Sequence, residues 1–558
     1  MNKKVIIITL LLLASAINAF SLSHQGTIPD VERIFLNTDR EGYVAGELIW
    51  FKAYTLDKNN IPNDLSKVLY IELIDSVGNS VIQSKHKIDN GFGSGNIYVP
   101  SSIQTGRYLM VCYTSLMRNF DHKIYFQKSI SIINSHVKVP NVNIANDSKN
   151  PVNAPLSSFS STNNLVDLQV RKKSFPSRAL VKVSLQNKSK DIMSNISISV
   201  FQADSLNLIE NLKLENVQSY SSDQKMVFLP ELEGHISYFN STDNQGITAP
   251  VYLSMLSTSP EIYSTTLKED GSAMFITQKV YGNHKMIIQA IDNSIKFEQI
   301  SPFYGSDSSF RQPTLKVPPS FKNTIERRSI YTQVQNVYSK DSIFLQENAE
   351  IKDAFYGVPD HVYWLDNYTR FPTMEEVLRE YVEQVQVRKK GDIYSLHVWD
   401  NSHQHFFESN PIVLFNGIPI TSMNEVMKID PLKIQSIEII TSQYIMSPQV
   451  WWAGIVSLKS YPDYQNETLI AESQSVIEFN GLSPELKFYS PDYSTNNNKR
   501  IPDFRNLLYW EPTVILEAQK AKEISFYTSD IKGKYIIKIE GWTSNGQFIQ
   551  AEETFEVK

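Results

Sequence analysis

The sequence predicts a mostly β chain: several β-sandwiches in series with one small α/β domain among them. Three observations lead there. Short runs rich in β-branched and aromatic residues recur at 68–74, 180–185, 196–201, 286–290, 434–440 and 535–539, each flanked by Gly, Asn, Asp, Ser or Pro. Repeated short strands with that punctuation are what sandwiches look like in sequence. A single stretch, 373–385, has helical periodicity, with Thr373 and Glu376 spaced as a capping box and Val377, Leu378, Tyr381 and Val382 following. Finally, 558 residues suffice for about three to five domains of roughly 150 residues each.

The first element in order is a leader. Lys3 and Lys4 precede an apolar run over 5–13, and small residues lead to Ala19. This is the pattern of a secretory signal over 1–19, with the mature chain starting at Phe20. The run is shorter than the roughly 20 apolar residues of a membrane span, and no later stretch is apolar enough to make one. A net charge of −6 argues against nucleic-acid binding, which needs a basic face. Cys112, the only cysteine, cannot form an internal bridge. Its place in the strand-like run 108–113 reads as a buried thiol.

The first sandwich is expected over 30–135. It carries Thr38-Asp39-Arg40-Glu41-Gly42-Tyr43-Val44-Ala45-Gly46-Glu47 ahead of the apolar run 49–54. This resembles the MG2 domain of the α2-macroglobulin superfamily at Thr38, Asp39, Tyr43, Gly46 and Glu47. Gly106-Arg107-Tyr108, Tyr113-Thr114 and Arg118-Asn119 fit its closing strand in exported Bacteroidetes proteins. The superfamily's Cys-Gly-Glu-Gln thioester is missing, because Cys112 is followed by Tyr113-Thr114-Ser115. Covalent protease trapping is therefore not implied.

An Asn/Ser/Pro-rich linker is expected at 141–164, then a second macroglobulin-like sandwich at 165–228. Residues 229–300, with Leu229-Pro230-Glu231-Leu232-Glu233-Gly234 and Lys268-Glu269-Asp270-Gly271, resemble a carboxypeptidase-regulatory-like sandwich. A Ser- and Pro-rich linker is expected over 301–345. The α/β domain is expected at 346–465. There, Pro411 to Ile420 with the Asn416-Gly417 turn, 430–439, and Ala453-Gly454-Ile455 resemble the plug of a TonB-dependent receptor. About a hundred residues remain after Tyr461, too few for a receptor barrel. They are expected as a C-terminal macroglobulin-like sandwich at 466–558. The fold class is thus immunoglobulin- or macroglobulin-like sandwiches in series plus one plug-like domain.

The search for chemistry yields one cluster, His397, Asp400, His403 and His405. If His403-Gln404-His405 were a strand, both imidazoles would share a face suited to one metal ion; the competing reading is an exposed hairpin tip. Gly91-Phe92-Gly93-Ser94-Gly95 reads as a turn or bulge between strands. Trp451-Trp452 with Tyr444 reads as packing, or as an aromatic surface for a glycan or partner. Asp75-Ser76-Val77, Asp204-Ser205-Leu206 and Asp341-Ser342-Ile343 resemble a Bacteroidetes O-glycosylation signal. No catalytic, cofactor-binding or metal residue is assigned.

The expected function is non-catalytic binding or scaffolding in a Gram-negative envelope, in the periplasm or at the outer membrane. The expected partner is an envelope protein or outer-membrane receptor complex. The alternatives are a metal-dependent hydrolase using His397, His403 and His405, or a thioester-free protease inhibitor with 141–164 as bait. The helix at 373–385 is expected to cover one face of the strand at 434–440, with Leu378 at its centre.

Overall fold

The computed structural model describes residues 32–137, 143–144, 165–190, 193–208, 226–242, 246–255, 261–290, 295–338, 344–345, 354–447, 450–464, 474–494 and 501–558. The leader, most of the 141–164 linker and the Asp341 motif lie outside the described residues.

The chain is mostly β. The first sandwich has eight strands, in the order Arg33–Thr38, Leu48–Leu56, Phe92–Tyr98, Ser80–Asp89, Val68–Ile74, Gly106–Tyr113, Phe126–Ile133 and Gly42–Val44. Ser80–Asp89 joins the two layers. Most of it pairs with Val68–Ile74, and its last two residues, Ile88 and Asp89, pair with Phe92–Tyr98. Between the layers lies an aromatic-rich core that includes Tyr43, Phe51, Tyr54, Tyr113 and Cys112. Burial pushes the Cys112 thiol well above its ordinary value, so it stays protonated and inert.

The stretches expected as two separate sandwiches, 165–228 and 466–558, combine into a single one through their strands at 166–202 and 507–557. Its smaller sheet runs Val166–Val170, Leu180–Asn187, Ala521–Tyr527. Its larger sheet runs Ser174–Phe175, Phe548–Val557, Gly533–Thr543, Ser194–Gln202, Leu507–Leu516. Ser194–Gln202 is a central strand, antiparallel to both C-terminal neighbours. The correction has a simple cause. Ile196, Ile198 and Val200 are fully buried in one core that combines Val181, Val183 and Leu185 with Leu508, Val514, Ile537 and Ile539 of the C-terminal segment. Neither segment could bury its own apolar face, at roughly 1.5–3 kcal/mol per large side chain.

The third sandwich is also closed from a distance. Its sheets are Ser272–Ile276, Ile236–Ser241, Phe297–Gln299 and Glu261–Thr266, Pro250–Met255, Asn283–Ala290, Ser475–Asn480. The last strand returns after the α/β module and places Ile477 and Phe479 in this core. The modules are therefore nested: the α/β module interrupts the third sandwich, and the third interrupts the second.

The expected linker at 301–345 is not a free linker. Phe303 and Phe310 are buried in the first sandwich's core, and Lys322–Tyr338 forms a helix, α1. Its buried residues Ile325, Arg328, Ser329 and Thr332 have helical spacing. Only one is apolar, so no hydrophobic stripe announces the helix.

In the α/β module the sheet order is His361–Trp364, Ile434–Ile440, Ile455–Ser460, Ile412–Phe415, Ile418–Ile420, with the Ile412–Phe415 and Ile455–Ser460 pair parallel. Helix α2, Met374–Glu380, is shorter than the expected 373–385. Thr373 caps it as expected, its Oγ1 accepting from Glu376 N at 3.3 Å, and the Thr373 hydroxyl donates to Glu376 Oε2 at 2.7 Å. Tyr381 leaves the helix to stack on Phe371, and Val385 opens a strand. Leu378 is fully buried in one cluster with Ile434, Ile437 and Ile439. Helix and strand thus share a core, as the periodicity suggested.

Candidate functional site

The residues singled out between Thr38 and Glu47 converge on one buried network. The Tyr43 hydroxyl donates to Asp39 Oδ1 at 2.8 Å and shares the Arg40 carbonyl, at 2.7 Å, with Thr38 Oγ1. Asp39 Oδ1 also accepts from Trp50 N at 2.9 Å. Burial pushes the Asp39 carboxyl up to about 6, against the opposing pull of Arg40. Gly46 adopts φ +92°, a left-handed conformation natural to glycine. Glu47 follows it and accepts from Val44 N at 2.9 Å.

Glu47 is tied to a residue far away in sequence. Arg328 of α1 donates from Nε to Glu47 Oε1 at 3.0 Å and from Nη2 to Glu47 Oε2 at 2.9 Å. It also donates from Nη1 to Asp204 Oδ2 at 2.8 Å and from Nη2 to the Gly42 carbonyl at 2.8 Å. One guanidinium thus joins the first sandwich, the second sandwich and α1 in a fork geometry that suits carboxylates. Burial would raise the Glu47 carboxyl, but Arg328 and then Arg40 outweigh it and hold it below its ordinary value. Neither Arg328 nor Asp204 stood out as a charge partner, because 124 residues separate them. Asp204 opens the second O-glycosylation-like motif, yet here it is buried in this ion pair.

Beside the network lies a cleft of about 190 Å³ where the first sandwich, α1, the 487–489 segment and the start of the second sandwich's C-terminal half meet. Arg40, Trp50, Lys487, Phe488, Arg505 and Asn506 are among its walls. Arg505 is committed to Asp503, to the Leu508 carbonyl at 3.0 Å and to the Tyr527 carbonyl at 3.2 Å.

The α/β module meets the third sandwich through Trp452, whose Nε1 donates to the Tyr252 hydroxyl at 3.2 Å. Tyr444 stacks on Trp452, while Trp451 is 51% exposed. The pair therefore divides: one ring packs and the other faces solvent. Asn416 and Gly417 both take positive φ, 50° and 85°, forming the hairpin between Ile412–Phe415 and Ile418–Ile420. At Gly454, φ +85°, a Cβ would lie 2.8 Å from the Ile440 carbonyl oxygen, so only glycine fits.

The His403 and His405 rings come together, with centroids 5.9 Å apart, while His397 is engaged elsewhere. His397 is buried, with Nδ1 2.8 Å from the Phe407 carbonyl and Nε2 3.0 Å from Ser395 Oγ, so both ring nitrogens are occupied. His403 and His405 do not share a strand face, because Gln404 between them sits at φ 57° in a turn. His403 pairs with Asp400 at 2.6 Å instead. Among the described residues no group of three His, Cys, Asp or Glu is placed to hold a metal. Gly91 makes a turn and Gly95 lies on a strand, where a Cβ would come within 2.7 Å of His86 Nδ1. Asp75 caps an exposed turn, accepting from Val77 N at 3.0 Å and Asn79 N at 2.8 Å. Among the described residues no helix is long and apolar enough to cross a membrane.

No family profile matches the chain, and no curated protein does. Among solved structures it is similar to native Escherichia coli alpha-2-macroglobulin, at 9% identity and TM-score 0.25 over 96% of this chain and 40% of that one. A Salmonella alpha-2-macroglobulin reacted with methylamine gives 8% identity and TM-score 0.24 over 94% and 39%. A tetra-tandem repeat of a large adhesion protein gives 9% identity and TM-score 0.13 over 95% and 100%. The chain spans about two fifths of the length of these macroglobulins.

Proposed function

We propose that the chain is a non-catalytic binding and scaffold protein of a Gram-negative, Bacteroidetes-type envelope, exported by the 1–19 leader. In this reading three sandwiches support an α/β module that resembles a receptor plug without its barrel, and the module engages an envelope partner. One observation carries it. The module is inserted between two strands of the third sandwich and seated on it by Trp452 and Tyr252, a means of presenting a domain at a set orientation. The buried charges between Asp39 and Arg328 are paired with one another, which suits a support. The Asn416-Gly417 hairpin and the glycine-only site at 454 support the plug resemblance. In the test, immobilised full-length chain is compared with a version in which 354–464 is replaced by a short Gly/Ser linker. Both are exposed to envelope extract, and retained proteins are identified. The reading expects partners held by the full chain and lost from the shortened one. Identical retained sets would sink it.

A further inference from the structure

Lys52 is an anomaly where the first two sandwiches meet. It sits in the middle of the strand Leu48–Leu56 and is fully buried. Among the described residues its side chain has one hydrogen-bond partner, and that partner is an amide: Nζ donates to Asn195 Oδ1. Asn195 lies on Ser194–Gln202, a central strand of the second sandwich. Two regular strands of different sandwiches therefore hold an amine against a carboxamide. The amine is walled by the rings of Tyr54 and Phe92, whose centroids lie 4.8 and 5.4 Å away. The Tyr54 hydroxyl also donates to the Asn195 backbone carbonyl at 3.2 Å, which fixes the strand at this point. Burying an ammonium is costly unless a carboxylate neutralises it, and rings offset only part of that cost. Burial accordingly pushes the Lys52 amine down to about 7, against the opposing pull of Glu511. Near neutral pH a sizeable share of it is unprotonated, the form that acts as a nucleophile.

We propose that Lys52 and Asn195 join in an intramolecular isopeptide bond that staples the first sandwich to the second. The unprotonated Nζ attacks Asn195 Cγ, the carbon bonded to the oxygen it already contacts. The Nζ–Cγ bond forms, the Cγ–Nδ2 bond breaks, and Nδ2 leaves as ammonia. The proton shed by Nζ goes to Nδ2, with Glu511 as the neighbouring carboxylate that carries it. The step consumes no further reactant. Holding amine and amide together on two strands replaces a bimolecular encounter. The product also exchanges a buried amine that would charge for a neutral amide, so burial favours it. Asn37 stands opposite Lys52 in the strand register, on the same face, and its Oδ1 has no partner among the described residues. It leaves an acceptor beside the new amide N–H. The staple lies apart from the α/β module, so it stands or falls independently of the partner proposed above.

The test is intact-mass spectrometry of the full chain, folded at neutral pH and then denatured, followed by peptide mapping. The expected chain is lighter by one ammonia and yields one branched peptide that links the fragments containing Lys52 and Asn195. The branched peptide separates this bond from ammonia lost by ring closure at an asparagine. Lys52→Arg keeps a positive charge but supplies no nucleophile at this pH. It should restore the full mass, as should Asn195→Ala. Glu511→Gln should slow the appearance of the branched peptide after refolding by about tenfold or more. A wild-type chain of full mass, or one whose two fragments are recovered unlinked, overturns the proposal and leaves an ordinary hydrogen bond. An unchanged rate in Glu511→Gln overturns the proton route.

Discussion

Two of this molecule's junctions rest on apolar clusters, such as Trp50, Phe201, Leu507 and Trp510 at the first, but the first adds a buried polar and charged network. Between the first and second sandwiches, Asn37 bonds to Ser197, Lys52 to Asn195, and Arg328 to both Glu47 and Asp204. Between the third sandwich and the α/β module, Tyr252, Ile262, Ile412, Leu414, Trp452 and Ile455 share an apolar cluster with few polar contacts. Hydrogen-bonded groups are directional and costly to leave unmade, whereas apolar contacts are non-directional and scale with area. The first junction is therefore a lock with one setting. The second is a seat whose strength tolerates small changes.

The sharpest way to break this contrast is Arg328→Met, which keeps bulk but leaves Glu47 and Asp204 buried without their cation. We expect the two-sandwich unit to lose about 3–5 kcal/mol, measured by urea unfolding followed through protease protection. Adding Glu47→Gln and Asp204→Asn should restore part of the loss, since the penalty is for unpaired charge. An unchanged midpoint in the single variant would show that the junction is not charge-locked.

Leu378→Ala should cost about 2–5 kcal/mol, confined to the α/β module. Cleavage there should appear while the first sandwich stays protected. If both became sensitive together, the two regions would be one cooperative unit and the contrast would fail. Tyr252→Phe keeps the ring and removes only the hydroxyl that accepts from Trp452 Nε1, at a cost of about 0.5–1.5 kcal/mol. A loss as large as that of Arg328→Met would mean that the second junction is polar in substance.

The smallest effect is a pH slope. The Asp39 carboxyl stands at about 6 in the folded chain against an ordinary 3.8, because burial disfavours its charged form. The folded state holds this proton more tightly than the unfolded one. The stabilisation is therefore complete below about pH 4 and fades as pH rises through about 6. Asp39→Asn keeps an oxygen for Tyr43 and Trp50 and should lack this slope. The measured quantity is the stability difference between variant and wild type from pH 4 to 7. A flat difference would place the Asp39 proton elsewhere.

The local pieces of this fold were legible because their causes are local. The cap at Thr373, the Asn416-Gly417 turn and the cluster from Thr38 to Glu47 each act within about a dozen residues. The pairing of Ser194–Gln202 with two C-terminal strands was not, since nothing in 194–202 distinguishes a partner nearby from one far away. Helix α1 was hidden because its inward face centres on Arg328 and Thr332 rather than on apolar residues. The cleft was hidden for both reasons, since Arg40, Asn336 and Asn506 meet only after the nested modules close.

Nesting also sets a timetable. The first sandwich pairs strands that follow one another closely, so its sheets can form early, before Phe303 and Phe310 complete its core. The second must wait: Asn187 bonds to the Leu516 carbonyl, 329 residues later. Until then, Leu180–Asn187 and Ser194–Gln202 are strand edges without their final neighbours. Unpaired edges on a growing or translocating chain invite wrong partners, and long-range β pairing is slow. Synthesis therefore passes through a stage in which the paired sheets of the first sandwich carry a half-built second one. Circular permutation that brings 501–558 directly ahead of 165 should shorten that stage and speed refolding, even if the final structure is no more stable.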